Sequence, residues 1–492
     1  MNVKKLFLIG LLVAGVSGVN AQIGVKYNPK IQPTRNMQYF KPTGNLSVGD
    51  CMPFYHDGVF SNYWLLDSLH GENLHGLGGH QWVVSSTTDL KTWQQGPIVL
   101  GIDQDWEKSI CTGSIAFYKG VYYAFYATRL IENGQVNEQL SYATSKDGVH
   151  FNKQQPNPFY KSAPGYSKRD FRDPKVFVDK NGEFHLFVAS DQENPVLNHA
   201  SGCLVHLSSK DLKTWTVHEP ILTGQPSTPE CPDYFYWKGW YYLVYSDNSN
   251  THYVKSKLPY GPFEQPRYQA LNEDWANVEK TAEFRNNRRL SVGWIPRRRD
   301  NRDDNNEIFG VNTIFREITQ EADGTLDTQF PPEMIPATLP DLGIKIHADL
   351  HSKNDDKNSV TITAPGGIGA AHIEQVPANC RITMVIAPSG PNEEYGVILL
   401  SDQHAEKGYR LNLSAINQMV SLGNTEIDAV NGLDKTIKLD IVIKDGIIDV
   451  DIDHRRTIVN RTYEQKGSFL WLYAKHGEVT FKEISIAPLL DK

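Results

Sequence analysis

Short apolar runs separated by turn residues recur along residues 50–340, at intervals of about 50–60 residues. Each repeat has an apolar run opened by an aromatic residue, a turn with Gly, Asn or Asp, and a second apolar run, which is the pattern of a β-hairpin. The runs open at Phe54, Phe117, Phe177, Phe235 and Phe284. Because there is little helical periodicity between them, the pattern predicts a five-bladed β-propeller with one blade per repeat.

The composition changes where the repeats end. Four prolines mark a linker, at Pro331, Pro332, Pro336 and Pro340. From about residue 345 alternating apolar runs return without the repeat, for example at 437–443, 448–452 and 469–473, and they are typical of a β-sandwich. The sequence therefore predicts an all-β protein, with a catalytic propeller at 22–340 and a sandwich domain at 345–492.

The N-terminus has the form of a secretory signal peptide. Lys4 and Lys5 precede an apolar run at 6–16, and small residues at 19–21 form a cleavage site. The apolar run is too short to span a bilayer comfortably. We therefore expect residues 1–21 to be removed and the mature protein to be periplasmic or extracellular, without membrane insertion.

Charge and cysteine content exclude several classes of function. The formal net charge of −8 argues against nucleic acid as a partner and favours a neutral ligand such as an oligo- or polysaccharide. The five cysteines are scattered without CxxC pairs, so neither a disulfide framework nor a zinc site is expected. The acid-rich segment 300–307 is surrounded by arginines and is interpreted as a solvated loop. No metal or cofactor is predicted, and the sequence makes no prediction about the oligomeric state.

Three carboxylates occupy corresponding positions in three repeats. Asp50, Asp173 and Glu230 each lie four or five residues before the aromatic that opens the apolar run. In a propeller the innermost strands converge, so these side chains are expected to face one central pocket. Glycoside hydrolysis needs one carboxylic acid held protonated and one carboxylate held ionised. The acids therefore predict a glycosidase site.

The immediate neighbours of the acids suggest separate roles. Glu230 has the longest reach and lies among Pro229, Cys231 and Pro232, a poorly polar setting that would raise its pKa, so we predict it to be the general acid. Asp50 would then be the nucleophile or the base that activates water. Arg172 is expected to keep Asp173 ionised, so that Asp173 stabilises developing positive charge while Arg172 donates to sugar hydroxyls.

The motifs around these acids resemble those of glycoside hydrolase family 32, which contains invertases, levanases and inulinases. Phe171-Arg172-Asp173-Pro174 resembles the Arg-Asp-Pro motif, and Glu230-Cys231-Pro232-Asp233 resembles the Glu-Cys-Pro motif. The Asp50 segment occupies the place of the Asn-Asp-Pro-Asn-Gly motif, with Gly49 where the family has Asn. Residues 79–93 resemble the Trp-Gly-His stretch and its following Asp-Leu-x-x-Trp, and 112–114 the Ser-Gly-Ser motif.

The resemblance implies a retaining β-fructofuranosidase acting on sucrose or on fructans such as inulin and levan fragments. On this reading Asp50 is the nucleophile, Glu230 the acid/base, and Asp173 stabilises the transition state. The further substrate-binding residues would be Arg172, Trp82, Thr112 and Ser114.

Two alternatives stay open at this point. Related five-bladed propellers that act as α-L-arabinofuranosidases or β-xylosidases also use two Asp and one Glu, but they invert configuration across a wider gap. A non-catalytic carbohydrate-binding propeller is the other alternative, and the presence of all three acids argues against it.

Overall fold

The computed structural model describes residues 33–34, 36–68, 78–268, 270–273, 275–390, 392–464 and 467–490. The expected signal peptide, residues 1–21, lies outside this part of the chain. Strands and turns make up nearly all of what is described, with short 3-10 turns at Arg285–Asn287, Arg299–Asn301 and Pro332–Met334. No helix among the described residues is long and apolar enough to cross a membrane.

The N-terminal part is built from short antiparallel strands. They are β1 (Pro33–Thr34), β2 (Leu46–His56), β3 (Val59–Ser68), β4 (Gln81–Thr87), β5 (Trp93–Leu100), β6 (Ser109–Tyr118), β7 (Val121–Glu132), β8 (Gln135–Ser145), β9 (Asn152–Lys153), β10 (Tyr166–Val178), β11 (Phe184–Gln192), β12 (Gly202–Ser209), β13 (Thr216–Gln225), β14 (Glu230–Trp237), β15 (Trp240–Asp247), β16 (Asn250–Ser256), β17 (Asn277–Phe284), β18 (Arg288–Arg298), β19 (Glu307–Gln320) and β20 (Leu326–Gln329).

Consecutive strands pair into groups that follow the sequence repeats. The groups are β2–β5, β6–β9, β10–β13, β14–β16 and β17–β20, and β1 is added to the first through β5. The first and last groups are joined where Val48 of β2 pairs with Val311 of β19. This contact brings the two ends of the repeat array together, as the ring of a propeller requires. This is the β-propeller that the repeats predict.

The C-terminal part is a β-sandwich. Its strands are β21 (Ile346–Leu350), β22 (Ser352–Asp356), β23 (Ser359–Ile373), β24 (Cys380–Pro388), β25 (Glu394–Ser401), β26 (Tyr409–Ser414), β27 (Met419–Leu422), β28 (Thr425–Ile427), β29 (Ile437–Lys444), β30 (Ile447–Ile452), β31 (Arg456–Arg461) and β32 (Phe469–Pro488). The first half of β32 pairs with β25 and its second half with β24, so this long strand takes part in both layers. A single apolar core lies between the layers, which confirms the predicted all-β class.

An apolar cluster joins the two parts of the chain. It combines Trp275, Ile295 and Ile314 of the propeller with Val442 and Val459 of the sandwich. Strand β20 ends at Gln329 and β21 begins at Ile346, so the Pro-rich segment lies between the two folds. The shared core means that the two domains do not separate cleanly at the linker. The predicted domain boundaries, 22–340 and 345–492, therefore stay predictions.

Two buried glutamates lie near this junction. Glu273 accepts a hydrogen bond of 2.7 Å from the backbone N–H of Val459, and Glu279 accepts one from the side chain of Asn272. Burial raises the pKa of Glu273 to about 8 and that of Glu279 to about 7, although Arg316 opposes both shifts. Both side chains are almost completely buried, so the protonated form is favoured in the folded protein.

We expect the protein to be less stable at pH 8 than at pH 5. Because the folded-state pKa of Glu273 and Glu279 is above the unfolded value, the folded protein binds more protons between those values, and stability falls as pH rises through this range. For the two carboxyl groups together the expected loss is on the order of 5 kcal/mol. Urea unfolding at both pH values measures it, and Glu279→Gln should flatten the dependence. A rise in stability towards pH 8 would contradict this assignment.

Candidate active site

A β-bulge interrupts the first strand of each group at a corresponding place. The register shifts lie between Val48 and Cys51 in β2, Ile110 and Gly113 in β6, Arg172 and Lys175 in β10, Glu230 and Asp233 in β14, and Asn277 and Lys280 in β17. An extra residue at a bulge turns a side chain away from the regular alternation. Asp173, Cys231 and Val278 adopt positive φ angles of 54°, 51° and 52°, which are uncommon for such residues and typical of functional sites.

The bulges meet at one cavity of about 370 Å³. Bulge residues that line it include Asp50, Thr112, Asp173, Glu230, Cys231, Asn277 and Val278. Charged residues at its wall are Arg129, Glu138 and Arg172, and the remaining wall includes Leu65, His80, Trp294 and Phe309. The structure thus brings the three acids singled out from the sequence into one pocket.

Asp50 is held from two sides. Trp294 Nε1 donates to its Oδ1 at 2.9 Å, and the hydroxyl of Thr112 donates to its Oδ2. The thiol of Cys231 lies 3.6 Å from the same Oδ2 and 3.5 Å from Oδ2 of Asp173. Burial raises the pKa of Cys231, so its sulfur stays protonated and can act as a donor between the two carboxylates.

Asp173 is buried and carries a raised pKa. It accepts a 3.1 Å hydrogen bond from the backbone N–H of Cys231, and Arg172 Nε lies 3.6 Å from it. Burial raises its pKa to about 7; Arg172 opposes the shift, whereas the charges of Glu138, Asp50 and Glu230 add to it. Burial thus has a larger effect on the pKa of Asp173 than Arg172 does, and it opposes the predicted role of the ion pair in keeping Asp173 ionised.

Glu230 lies at the mouth of the same pocket. Arg172 Nη2 donates to its Oε1 at 2.9 Å. Burial in the cleft raises the pKa of Glu230, and Arg172 reduces that shift. The direction agrees with the sequence prediction, although 46% of the side-chain surface stays accessible to solvent. A carboxyl group that is both reachable and inclined to hold its proton suits general acid catalysis.

Arg172 connects the acids and also contacts a fourth carboxylate. Besides Asp173 and Glu230, its guanidinium pairs with Asp170 and lies 3.6 Å from Glu138. Glu138 is buried and receives hydrogen bonds of 3.0 and 2.8 Å from Arg129. Sequence reasoning missed this Arg129–Glu138 pair, because it lies on the second and third strands of its group, β7 and β8, and within no recognisable motif.

A second and larger cavity adjoins the pocket. It measures about 1120 Å³ and shares Arg129, Glu138, Arg172 and Glu230 with the smaller one. Its remaining wall is polar and comes from residues 135–137, 167–170 and 191–193. Glu230 therefore lies on the wall common to a small, deep pocket and a wide, open one.

Two of the predicted substrate-binding residues do not reach the pocket. Trp82 has no exposed surface, and its Nε1 donates to the backbone carbonyl of Cys111 at 2.8 Å. Ser114 is also buried, donating to the carbonyl of Pro174 and accepting from the N–H of Val176, both at 2.7 Å. The prediction that these two side chains contact substrate is wrong, because one packs in the core and the other joins neighbouring repeats. Thr112 does line the pocket, where it orients Asp50.

A cluster of three aromatic rings that the sequence did not reveal forms one wall of the pocket. The ring of Phe309 lies 4.8 Å from Trp294 and 5.4 Å from His80. Nε2 of His80 is 3.2 Å from the buried carboxylate of Asp67; burial lowers the pKa of His80, but its contacts, mainly the one with Asp67, raise that pKa to about 9. The ring of Phe309 packs against Trp294, which is the donor to Asp50.

Phe309 also explains why residue 49 departs from the family pattern. A Cβ atom on Gly49 would lie 2.5 Å from Cζ and 2.7 Å from Cε1 of the Phe309 ring. Both distances are shorter than real contacts allow, so the ring occupies the space that a side chain at residue 49 would need. Gly49 and Phe309 thus form a matched pair.

We expect Gly49→Ala to destabilise the protein by about 1–3 kcal/mol, because the packed Phe309 ring must move. Adding Phe309→Ala removes the clash, so the double variant should lose less than the sum of the two single changes. Gly343→Ala is the control, since no atom lies within 4 Å of the added Cβ there. Urea unfolding of the four variants measures the coupling, and strict additivity would contradict the proposed pairing.

The N-terminal part of the chain is similar to proteins of a known family. Residues 40–330 match the model of the glycosyl hydrolases family 32 N-terminal domain. Sucrose-6-phosphate hydrolase of Escherichia coli is 24% identical over 298 residues, which are 56% of this chain and 57% of that protein. The chain thus spans little more than half the length of this relative. Levanase of Bacillus subtilis is 26% identical over 247 residues, 47% of this chain and 33% of that protein.

Among solved structures, fructan 1-exohydrolase IIa from Cichorium intybus aligns over 94% of this chain and 100% of its own, with a TM-score of 0.69 and 14% identity. At that identity the likeness shows a shared fold. Because the family model covers more than half of the chain, the family follows from the sequence match itself. The chain belongs to family 32 of the glycosyl hydrolases.

Proposed function

We propose that this protein is a β-fructofuranosidase that hydrolyses sucrose or short fructans with retention of configuration. The observation that carries the proposal is the meeting of Asp50, Asp173 and Glu230 at one cavity, with Cys231 between the two aspartates and Arg172 between Asp173 and Glu230. Family membership and the names of the relatives, a sucrose-6-phosphate hydrolase and a levanase, support a fructosyl substrate.

In the first step Asp50 attacks the anomeric carbon of the fructosyl unit while Glu230 transfers its proton to the glycosidic oxygen. The bond between that carbon and the oxygen breaks, and the leaving sugar departs as an alcohol. A fructosyl ester on Asp50 remains. The hydrogen bonds from Trp294 and Thr112 hold the Asp50 carboxylate in a fixed orientation for this attack.

In the second step Glu230, now ionised, removes a proton from water. The resulting hydroxide attacks the same anomeric carbon, the ester bond to Asp50 breaks, and fructose leaves. Positive charge develops on the sugar ring in both steps. The cluster of carboxylates around Arg172 stabilises that charge, and Arg172 is positioned to donate to sugar hydroxyls.

The shared wall of the two cavities suggests where each half of the substrate binds. The fructosyl unit occupies the small pocket with Asp50, and the leaving group occupies the wide cavity beyond Glu230. Four basic residues (Arg129, Lys168, Arg169 and Arg172) and five acidic ones (Glu138, Asp170, Asp191, Glu193 and Glu230) line that wide cavity. Because Glu230 holds its proton as the general acid, four negative charges face four positive ones, so the cavity offers a phosphorylated leaving group no excess of positive charge and suits a neutral one.

The N-terminal segment fits a protein that meets its substrate outside the cytoplasm. Lys4 and Lys5, the apolar run at 6–16 and the small residues at 19–21 support export to the periplasm or beyond. Sequencing the N-terminus of the protein recovered from its native host tests this, and a mature chain that begins at Gln22 is the expected result.

A substrate panel tests the proposed activity. Purified protein is incubated with sucrose, sucrose 6-phosphate, inulin, levan and nitrophenyl α-L-arabinofuranoside, and the released sugars are measured. Free fructose from sucrose or a fructan supports the proposal. Arabinose as the main product would replace it with the arabinofuranosidase alternative, and hydrolysis confined to sucrose 6-phosphate would overturn the neutral leaving group. Sugar binding without any product would favour a non-catalytic propeller.

A further inference from the structure

Three side chains with metal-ligating atoms lie together on the sandwich, on elements that contribute no residue to the catalytic cavity. They are His347 on β21, His372 on β23 and Glu374 just after β23. One ligand atom from each lies within 4.8 Å of the other two. Among the residues that the structure describes, this is the one group of three His, Cys, Asp or Glu side chains whose ligand atoms lie close enough together to share a metal ion.

The strand register accounts for the grouping. His347 and His372 are directly opposite each other in the antiparallel β21–β23 pair. Glu374 follows His372 by two residues, so both side chains point to the same side of the strand. Opposite residues and second neighbours are the closest side chains on a sheet face. The three ligands therefore converge because of the sheet geometry itself.

A fourth residue fixes the tautomer of the central histidine. Asp349 Oδ2 lies 2.7 Å from His372 Nδ1, so Nδ1 carries the proton and Nε2 presents its lone pair. Histidines that bind metals usually donate their other ring N–H to a carboxylate in this way. His372 Nε2 in turn lies 3.5 Å from Oε1 of Glu374.

That distance fits shared coordination of one ion. Ligands about 2.0–2.1 Å from a tetrahedral zinc ion are about 3.3–3.4 Å apart, so His372 and Glu374 need little adjustment. The rings of His347 and His372 are nearly parallel, at 7° with centroids 4.8 Å apart. His347 must rotate about its Cβ–Cγ bond to aim its lone pair at the same ion, and it is only partly buried.

The surroundings would strengthen binding. The His372 ring packs 4.7 Å from Trp471 and 5.5 Å from Phe469, and only 13% of its side chain is exposed. Aromatic cover lowers solvent access and the local dielectric around a bound cation. Two imidazoles and one carboxylate leave the fourth tetrahedral position for water, and this ligand set suits zinc and its neighbours in the transition series better than magnesium or calcium.

We propose that His347, His372 and Glu374 bind one divalent transition-metal ion, with zinc as the representative, and that Asp349 orients His372 for this role. The ion would cross-link β21 to β23 at the start of the sandwich. Because it binds the folded chain and finds no preformed site in the unfolded one, it would raise the unfolding temperature.

Titration calorimetry with ZnCl₂ tests the proposal on the full chain, produced without a polyhistidine tag and freed of metal with EDTA. We expect one zinc ion per chain, a rise in the unfolding temperature, and no comparable binding of Mg²⁺. His372→Ala and His347→Ala should each weaken binding at least tenfold, and Asp349→Asn by about 10–100-fold. All variants are first checked for wild-type unfolding temperature in EDTA.

His454→Ala is the matched control. His454 also lies in the sandwich, is partly exposed and pairs with a carboxylate, Asp451, at 3.2 Å. It belongs to no ligand cluster among the described residues, so this variant should bind zinc as the wild type does. Absence of one-to-one binding, equal binding of Mg²⁺, or unchanged zinc affinity in both His372→Ala and His347→Ala would overturn the proposal.

Discussion

Replacing Glu230 by glutamine is expected to lower kcat/KM for sucrose or inulin at least a hundredfold. Glutamine keeps the shape and can still accept a hydrogen bond from Arg172, but it cannot give a proton to the leaving oxygen. The loss should be much smaller for fructosyl fluoride, because fluoride departs without protonation. Comparing kcat/KM on the two substrates separates general acid catalysis from a general loss of binding, because kcat/KM reports the steps up to the fructosyl ester and not the later attack of water, in which Glu230 acts as the base.

Glu193→Gln is the matched control for this experiment. Glu193 is an exposed acid that lines the wide cavity, beyond the wall that Glu230 shares with the small pocket. The Glu193→Gln substitution should leave kcat within a factor of a few of the wild-type value. An equal loss of kcat/KM on sucrose and on fructosyl fluoride in the Glu230 variant would mean that Glu230 does not supply the proton.

Replacing Asp449 by asparagine is expected to destabilise the protein by about 3–5 kcal/mol, because it leaves a buried guanidinium unpaired. Arg316 on β19 of the propeller and Asp449 on β30 of the sandwich form a bidentate pair with distances of 2.8 and 2.7 Å. Neither side chain has exposed surface. Tyr39 donates a further hydrogen bond of 2.7 Å to the same carboxylate.

Asp440→Asn provides the comparison. Asp440 makes a bidentate pair with Arg381 at 2.8 and 2.5 Å within the sandwich, but 32% of the Arg381 side chain is exposed. Because the Arg381 end of this pair is partly open to water, this change should cost less than the Asp449 change, about 1 kcal/mol. Urea unfolding of both variants measures the difference. If both variants lose the same free energy of unfolding, the Arg316–Asp449 pair stabilises the protein no more than the Arg381–Asp440 pair does.

The sequence was informative where local patterns decide the structure. Alternating residues and turn signals recur in each repeat, and they predict strands because a hairpin depends on neighbouring residues. The same regularity placed Asp50, Asp173 and Glu230 at one position of the repeat, and the structure brings them to one cavity. Their catalytic roles stay predictions until the variants are measured.

The remainder of the site depends on contacts between distant parts of the chain. Trp294 reaches Asp50 across 244 positions of sequence, and no local pattern marks it as a partner. Phe309 on β19 fills the space beside Gly49. The need for a glycine in the first repeat therefore depends on a strand of the last repeat. Strand β4 is buried on both faces, so no alternation distinguishes Trp82 in the core from a residue that faces the pocket.

The most direct test of the proposed chemistry is ¹H NMR of the first fructose released, recorded within minutes of adding the protein to sucrose or inulin. Attack by Asp50 followed by water inverts the anomeric centre twice, so β-fructofuranose should appear first and equilibrate later. Initial release of the α-anomer would contradict a covalent role for Asp50 and would place the protein among inverting enzymes.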